Sequence, residues 1–165
     1  MEKINWDDLF MSMVYLIAMK SKDESTHIGA VVVGPDHEIR SVGYNGFPRG
    51  INDYVAKRQE RPLKYKFFEH GERNSIYNAA LIGVSLKNCK MYTNGIPCTD
   101  CARAIIQSGI KEVVVDEEWN DGNKGRWKGE ADLTLIMFNE SNVKVRYWTG
   151  DLLDVVKCRR KKTWK

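Results

Sequence analysis

The sequence predicts an α/β fold, a three-layer α/β/α sandwich with a central sheet of about five strands flanked by helices. Three observations lead there. Ile28 to Val33 and Lys111 to Asp116 are β-branched runs of strand length. Segments with helical character starting at His70 and at Cys98 each stop at a glycine, Gly83 and Gly109. Between residues 90 and 116 the order is strand, helix, strand, the alternation of layers wound around a sheet.

Taken in order, Leu9, Met13, Leu16, Ile17 and Met19 recur at helical spacing from Asn5 to about Lys22, with Asn5 as N-cap and acids in the first turn. Ile28–Val33 and Ile39–Tyr44 flank the turn GPDHE and read as a hairpin. Asn45 to Glu69 is a long connection rich in glycine, charge and aromatic residues, and connections of that length usually bind something. A helix from His70 to about Ile82 carries an apolar stripe of Ile76, Ala79, Ala80 and Leu81. Lys90–Asn94 is a strand, Cys98–Ser108 a helix and Lys111–Asp116 a strand. The polar stretch DEEWNDGNKGRWKGE leads to a weaker helix near Ala131–Asn139, a strand at Val143–Tyr147 and a terminal helix near Asp151.

Length and composition narrow the function classes. A chain of 165 residues fits one domain, spanning 1–165 with a basic tail at about 158–165. Hydrophobic residues at 42% and charged residues at 29% are globular proportions, and no apolar run reaches bilayer length, so no membrane partner is expected. MEKINWDDLF lacks the basic-then-apolar order of a signal peptide, which makes the cytoplasm the expected compartment. Net charge is +4, and part of it lies in CRRKKTWK, so the body is near neutral and nucleic acid is an unlikely partner. That tail reads as a solvated, partly frayed end. In a reducing compartment four cysteines suggest a metal or redox pair rather than a disulfide framework, and Cys98 and Cys101 are the close pair.

Those two cysteines belong to Pro97-Cys98-Thr99-Asp100-Cys101, which follows His70-Gly71-Glu72 after a helix and a strand. Cysteines three apart in the first turn of a helix can lean toward one metal ion, and His70 adds a third ligand. Three protein ligands leave the fourth tetrahedral position for water, the arrangement of a catalytic zinc. His70 and Glu72, two apart, diverge by about 200° in mid-helix and reach one pocket only if it lies beyond the helix start. Two helix N-termini facing one ion favour thiolates and a carboxylate. With zinc lowering the pKa of water in the open position, Glu72, itself no ligand, would act as general base and then acid. The reaction class is hydrolytic attack on an amidine-like carbon bearing an amino group.

H-x-E followed by P-C-x-x-C is the signature of zinc nucleobase deaminases, and the chain resembles the cytidine and deoxycytidylate deaminase superfamily. Three further segments fit the deoxycytidylate branch in order: Ser21-Lys22-Asp23, Gly43-Tyr44-Asn45-Gly46-Phe47-Pro48-Arg49-Gly50, and Gln107-Ser108-Gly109-Ile110. The resemblance implies hydrolysis of dCMP to dUMP and ammonia, feeding thymidylate synthesis. It implies that Asn45 holds the deoxyribose hydroxyl, that the Gly71 N–H holds the pyrimidine carbonyl, that Asn74 lines the sugar or phosphate pocket, and that the Ile96 carbonyl accepts the exocyclic amine. Turn chemistry is the rival role for Asn45, and a plain surface position the rival for Asn74. Alanine is usual where Gly71 stands, and the missing methyl is expected to loosen the helix start and widen the pocket. The resemblance also implies a homohexamer activated by dCTP with Mg2+ and inhibited by dTTP. The effector site would use Lys22 and the loop residues Gly46, Arg49, Gly50, Asn52 and Asp53, cations for a triphosphate and oxygens for a hard ion.

Other candidates weigh less. Cys89 and Cys158 read as small buried hydrophobes, His27 and His37 as ordinary polar residues, and Trp119 and Trp127 as packing residues rather than pocket caps. Rival functions are a bifunctional dCMP/dCTP deaminase, a free-nucleoside deaminase, a tRNA or single-stranded DNA base deaminase, a non-catalytic zinc module and a thioredoxin-like C-x-x-C protein. A polymer-acting enzyme needs a basic channel; a structural zinc needs a fourth protein ligand and leaves Glu72 without a task.

Overall fold

The Asp8 N–H donates to the Asn5 side chain at 2.8 Å, and this cap starts helix α1 (Trp6–Ala18) where the sequence places it. The computed structural model describes residues 3–122, 128–154, 157–159 and 162–164. Helix α1 ends at Ala18 rather than near Lys22. Beyond it Asp23 Oδ1 accepts the N–H groups of Ser25 and Thr26, a local bond that competes with helix.

Strands β1 (Gly29–Val33) and β2 (Ile39–Tyr44) form the expected antiparallel hairpin, with an irregularity at Val33. The connection 45–69 holds a 3-10 turn (Ala56–Gln59) and a short helix α2 (Lys64–Phe67), followed by α3 (Gly71–Ile82). Strand β3 (Lys90–Thr93), helix α4 (Thr99–Gln107) and strand β4 (Glu112–Asp116) match the alternation read from sequence. In the polar stretch Asp116 Oδ1 accepts from the Glu118 N–H at 2.9 Å and starts a short helix, α5 (Glu117–Gly122), which sequence periodicity does not reveal. Helix α6 (Lys128–Glu140) and strand β5 (Lys144–Trp148) complete the sheet. Its order is β2-β1-β3-β4-β5, with β1 antiparallel to β2 and β3, and β3, β4 and β5 parallel.

The period-two alternation of strand side chains explains the layers. Val31, Val33, Tyr92 and Val114 pack with Phe10, Met11 and Val14 of α1. Ala30, Val32, Met91, Val113 and Val115 face the opposite way, toward Ala79, Ala102, Ile105 and Phe138 of α3, α4 and α6. Both faces are covered, so the strands read as unbroken β-branched runs rather than alternating ones. Two glycines set how closely the helices approach. A Cβ at Gly29 would lie 2.1 Å from the Val14 carbonyl oxygen, and one at Gly43 would lie 2.3 Å from both the Gly71 oxygen and the Ser75 nitrogen. Helices α1 and α3 therefore rest on bare backbone.

Two expectations are corrected. The buried side of α3 is Gly71, Glu72, Ser75 and Ala79, with Ile76 against the core, whereas Ala80 and Leu81 are exposed, because the helix faces Gly43 and the site rather than a wide apolar surface. Residues 151–154 are not helical: Leu152 is exposed and the Leu153 N–H donates to Ser12 Oγ of α1 at 2.8 Å. Nearer the basic terminus, β6 (Lys157–Arg159) pairs antiparallel with β7 (Lys162–Trp164). Cys89 is buried as expected, Trp119 packs edge-on against Tyr15, and Trp127 lies outside the described residues. Among the described residues no helix is long and apolar enough to cross a membrane.

The start of α1 is clamped to the sheet by Asp7, which takes a two-pronged bond from Arg146 of β5 (2.5 and 3.0 Å) and the Tyr92 hydroxyl of β3 (2.7 Å). The Arg146 bond is the main reason the Asp7 carboxyl is held below its ordinary value of 3.8. A depressed carboxyl stabilises the fold above its unfolded pKa and loses that contribution as pH falls through the folded value. Asp7→Asn is therefore expected to cost about 1–2 kcal/mol at neutral pH. In thermal melts from pH 7 to pH 2 its gap from wild type should close only below about pH 4.

Candidate active site

His70 and Cys98 occupy the N-cap positions of α3 and α4, in extended backbone conformations, and neither side chain caps its own helix. Both are thereby free to face the space beyond the two helix starts. Cys101 enters from the first turn of α4 and Glu72 from the first turn of α3. The Cys98 and Cys101 sulfurs lie 3.4 and 3.5 Å from His70 Nδ1, and all three ligand atoms fall within 4.8 Å of one another. Tetrahedral zinc, with Zn–S of about 2.3 Å and Zn–N of about 2.0–2.1 Å, places nitrogen and sulfur about 3.6 Å apart. The donor set therefore fits zinc in chemistry and spacing.

The three donors perturb one another. The Cys98 thiol is pushed down to about 4, first by the hydrogen bond from Cys101 and then by His70, while Cys101 is driven up by the same Cys98 bond and by burial. The bond to Cys98 raises His70 to about 9. A cation seated among them must displace those protons, which makes binding weaker in acid. Glu72 is 6% exposed, and burial raises its carboxyl above the ordinary range. A carboxyl so placed can carry a proton at a pH where a surface glutamate cannot.

Glu72, His70 and Cys98 line a cavity of about 570 Å³, the size of a small-molecule site. Asn45 and Ile96 line it too, and Cys101 is fully buried and not part of the lining. Asn45 is not in a left-handed turn. It is a buried junction whose Oδ1 accepts from Ser21 Oγ (2.6 Å) and the Ile28 N–H (2.9 Å), and whose Nδ2 donates to the Thr26 carbonyl (2.9 Å). Asn74 is not part of the lining; its amide donates to the Tyr44 carbonyl at 2.8 Å and fastens α3 to β2. At Gly71 a methyl would be closely surrounded. A Cβ there would lie 3.1 Å from the Ile28 oxygen and 3.4 Å from the Asn45 nitrogen, so backbone already occupies most of the room a methyl needs.

The candidate effector residues cluster outside this cavity. Lys22 pairs with Asp53 at 2.9 Å, Arg49 bonds Asn78 of α3, Asn52 Oδ1 accepts from the Tyr54 N–H, and Gly46 is bridged to Glu69. Gly50, with φ of +80°, makes the bend between them.

Several lining residues escape sequence reasoning. Lys64, only 5% exposed, bonds Asp23 Oδ1 at 2.6 Å and Ser25 Oγ at 2.9 Å, joining the connection 45–69 to the loop after α1. Burial alone would raise the Asp23 carboxyl; Lys64 and the backbone N–H groups of residues 25 and 26 hold it low instead. Arg61, Tyr65 and Phe68 complete that wall, and Glu130, Leu135 and Tyr147 form the other. Glu130 accepts from the Thr99 hydroxyl at 2.9 Å and its N–H at 3.3 Å, a cap for α4 donated by α6. Nothing in the sequence singles out Lys64 for this wall, since Lys64 and Lys66 both stand among the aromatic residues of 63–68.

Residues 4–117 match the family model described as the cytidine and deoxycytidylate deaminase zinc-binding region. The human deoxycytidylate deaminase is 35% identical over 149 residues, covering 87% of this chain and 79% of that protein. An uncharacterized deaminase of Aliivibrio fischeri is 36% identical over 148 residues, covering 90% and 97%. The crystal structure of dCMP deaminase from the cyanophage S-TIM5 in complex with dCMP and dUMP superposes with a TM-score of 0.68 at 22% identity, over 90% of this chain and all of that one. The fold, the order of the motifs and the match over most of its length place this chain in the cytidine and deoxycytidylate deaminase family.

Proposed function

We propose that the chain, as a single domain acting in the cytoplasm, catalyses the hydrolytic deamination of dCMP to dUMP and ammonia. The observation that carries this is the buried Glu72 beside a His70, Cys98, Cys101 donor set of zinc spacing, in the wall of a nucleotide-sized cavity. His70, Cys98 and Cys101 would hold zinc, which when bound supplies a Lewis acid able to make water ionise near neutral pH. Glu72 takes the proton released as the water oxygen bonds to the amino-bearing ring carbon, and passes it to the adjacent ring nitrogen. It next moves a proton from the new hydroxyl to the amine; the carbon–nitrogen bond breaks and ammonia departs, leaving the ring carbonyl. Burial raises the Glu72 carboxyl, which makes it a better proton acceptor in the first transfer and lets it hold that proton for the next.

In this reading the Gly71 N–H holds the ring carbonyl, Asn45 the deoxyribose and the Ile96 carbonyl the departing amine. Asn45 and Ile96 support it by lining the cavity, and Asn74 acts through the placement of α3. Regulation by dCTP with Mg2+ and by dTTP, in a hexamer, completes the proposal. It places the effector on Lys22 and residues 46–53, a loop exposed from 48 to 52, whose Lys22–Asp53 pair would part to admit a triphosphate and its cation. The lining favours a free nucleotide over a polynucleotide strand: against Arg61 and Lys64 stand Asp23, Glu69, Glu130 and Asp132, the reverse of a basic channel.

Glu72→Gln should keep its zinc by elemental analysis and lose ammonia release from dCMP by about 10²–10⁴-fold; near-normal turnover would remove Glu72 from the proton path. Cys98→Ala should lose both bound zinc and activity. A metal-free protein that still deaminates dCMP would be incompatible with the proposed chemistry.

A further inference from the structure

We infer that Arg61 reads the 5′-phosphate of the substrate and sets the preference for a nucleotide over a nucleoside, an inference that rests on the proposed dCMP deamination. A nucleoside monophosphate brings about −1.5 to −2 charges at neutral pH, which require a cation in the cavity wall. The lining contains two cations besides His70. Lys64 is sealed against Asp23 and Ser25, and its charge is already matched by a carboxylate. Arg61 is exposed at the rim, and among the described residues no carboxylate pairs with it.

Its setting suits phosphate. Arg61 Nε donates to the Tyr65 hydroxyl at 2.8 Å, and the guanidinium lies over the Tyr65 ring with its carbon 6.0 Å from the centroid. This fixes the plane of the fork and leaves both Nη groups for the two-pronged bonding that phosphate oxygens accept. The reacting base must lie deep, against Glu72 and His70, so its charged tail belongs at the mouth, where it keeps part of its hydration. The other carboxylates of the wall are engaged: Glu69 bonds Arg73, and Glu130 caps α4. Asp132, exposed in the same lining, repels an incoming phosphate, and Arg61 must offset that repulsion for a nucleotide but not for a neutral nucleoside.

The test compares zinc-loaded wild type, Arg61→Gln and Arg61→Lys in kcat/KM for dCMP and for deoxycytidine, with dUMP and deoxyuridine binding followed by calorimetry. Arg61→Gln is expected to lower the dCMP-to-deoxycytidine ratio about 10- to 100-fold, chiefly through KM, and to weaken dUMP binding in step, with Arg61→Lys recovering part of the loss. If wild type prefers dCMP and Arg61→Gln keeps that ratio, the assignment of Arg61 is overturned and the substrate reading survives. If wild type shows no preference for dCMP, the substrate reading fails and takes Arg61 with it.

Discussion

The site depends on bringing two helix starts within a few ångströms of each other. A nitrogen and two sulfurs can share a tetrahedral ion only if the pairs lie about 3.6–3.8 Å apart, and here the three donors come from helices separated by a strand and a loop. Gly43 makes that approach feasible, because a single methyl there would strike the backbone of α3 in its first two turns. Helix α4 is set by the short passage out of β3, whose parallel pairing with β4 requires the crossing that α4 provides. The geometry at the metal donors is thus fixed by backbone packing well below the surface rather than by the ligands alone.

That constraint explains what could be read from the sequence. Chemistry confined to a few residue types at fixed spacing is visible: His70, Glu72, Cys98 and Cys101 are separated in the chain but lie at helix starts, which a glycine stop and a strand before them mark out. Strands buried on both faces announce themselves as β-branched runs. The two walls of the cavity do not. Lys64 meets Asp23 across 41 residues, and nothing local in either segment implies the other. The Ala80 and Leu81 error has a similar origin, since the 3.6-residue period cannot say that the sheet-facing side of α3 is occupied by Gly71, Glu72 and Ser75. Nor can it say that residues 151–154 stay out of a helix and that residues 157–159 and 162–164 pair as strands.

Charge in the cavity is sorted by depth. At the inner end the protons of His70, Cys98 and Cys101 are coupled, and Glu72 is kept from ionising freely by burial. In the wall, Lys64 and Asp23 cancel. Their pairing also orders the loop 23–26, because the Asp23 oxygen that takes Lys64 also takes the Ser25 and Thr26 N–H groups. Asn45 accepts and donates within the same loop, so a residue at the base of the cavity is held by the segment that forms its side. Such a wall needs no reorganisation to present its polar atoms, which is the condition under which fixed dipoles act most strongly.

The outer wall is tied to the inner one just as directly. Glu130 of α6 receives the N–H and hydroxyl of Thr99, and the Thr134 hydroxyl of the same helix donates to the Pro97 carbonyl at 2.9 Å. These bonds bracket Cys98 on both sides in sequence. The helix that supplies Ala131 and Leu135 to the cavity therefore also fixes the backbone that aims a metal donor. A carboxylate at the N-terminus of α4 satisfies otherwise unpaired N–H groups, but it also partly offsets the positive helix end that favours the Cys98 thiolate. The net field at Cys98 is the difference between the two, and α6 sets the size of that difference by how closely it holds Glu130 to Thr99.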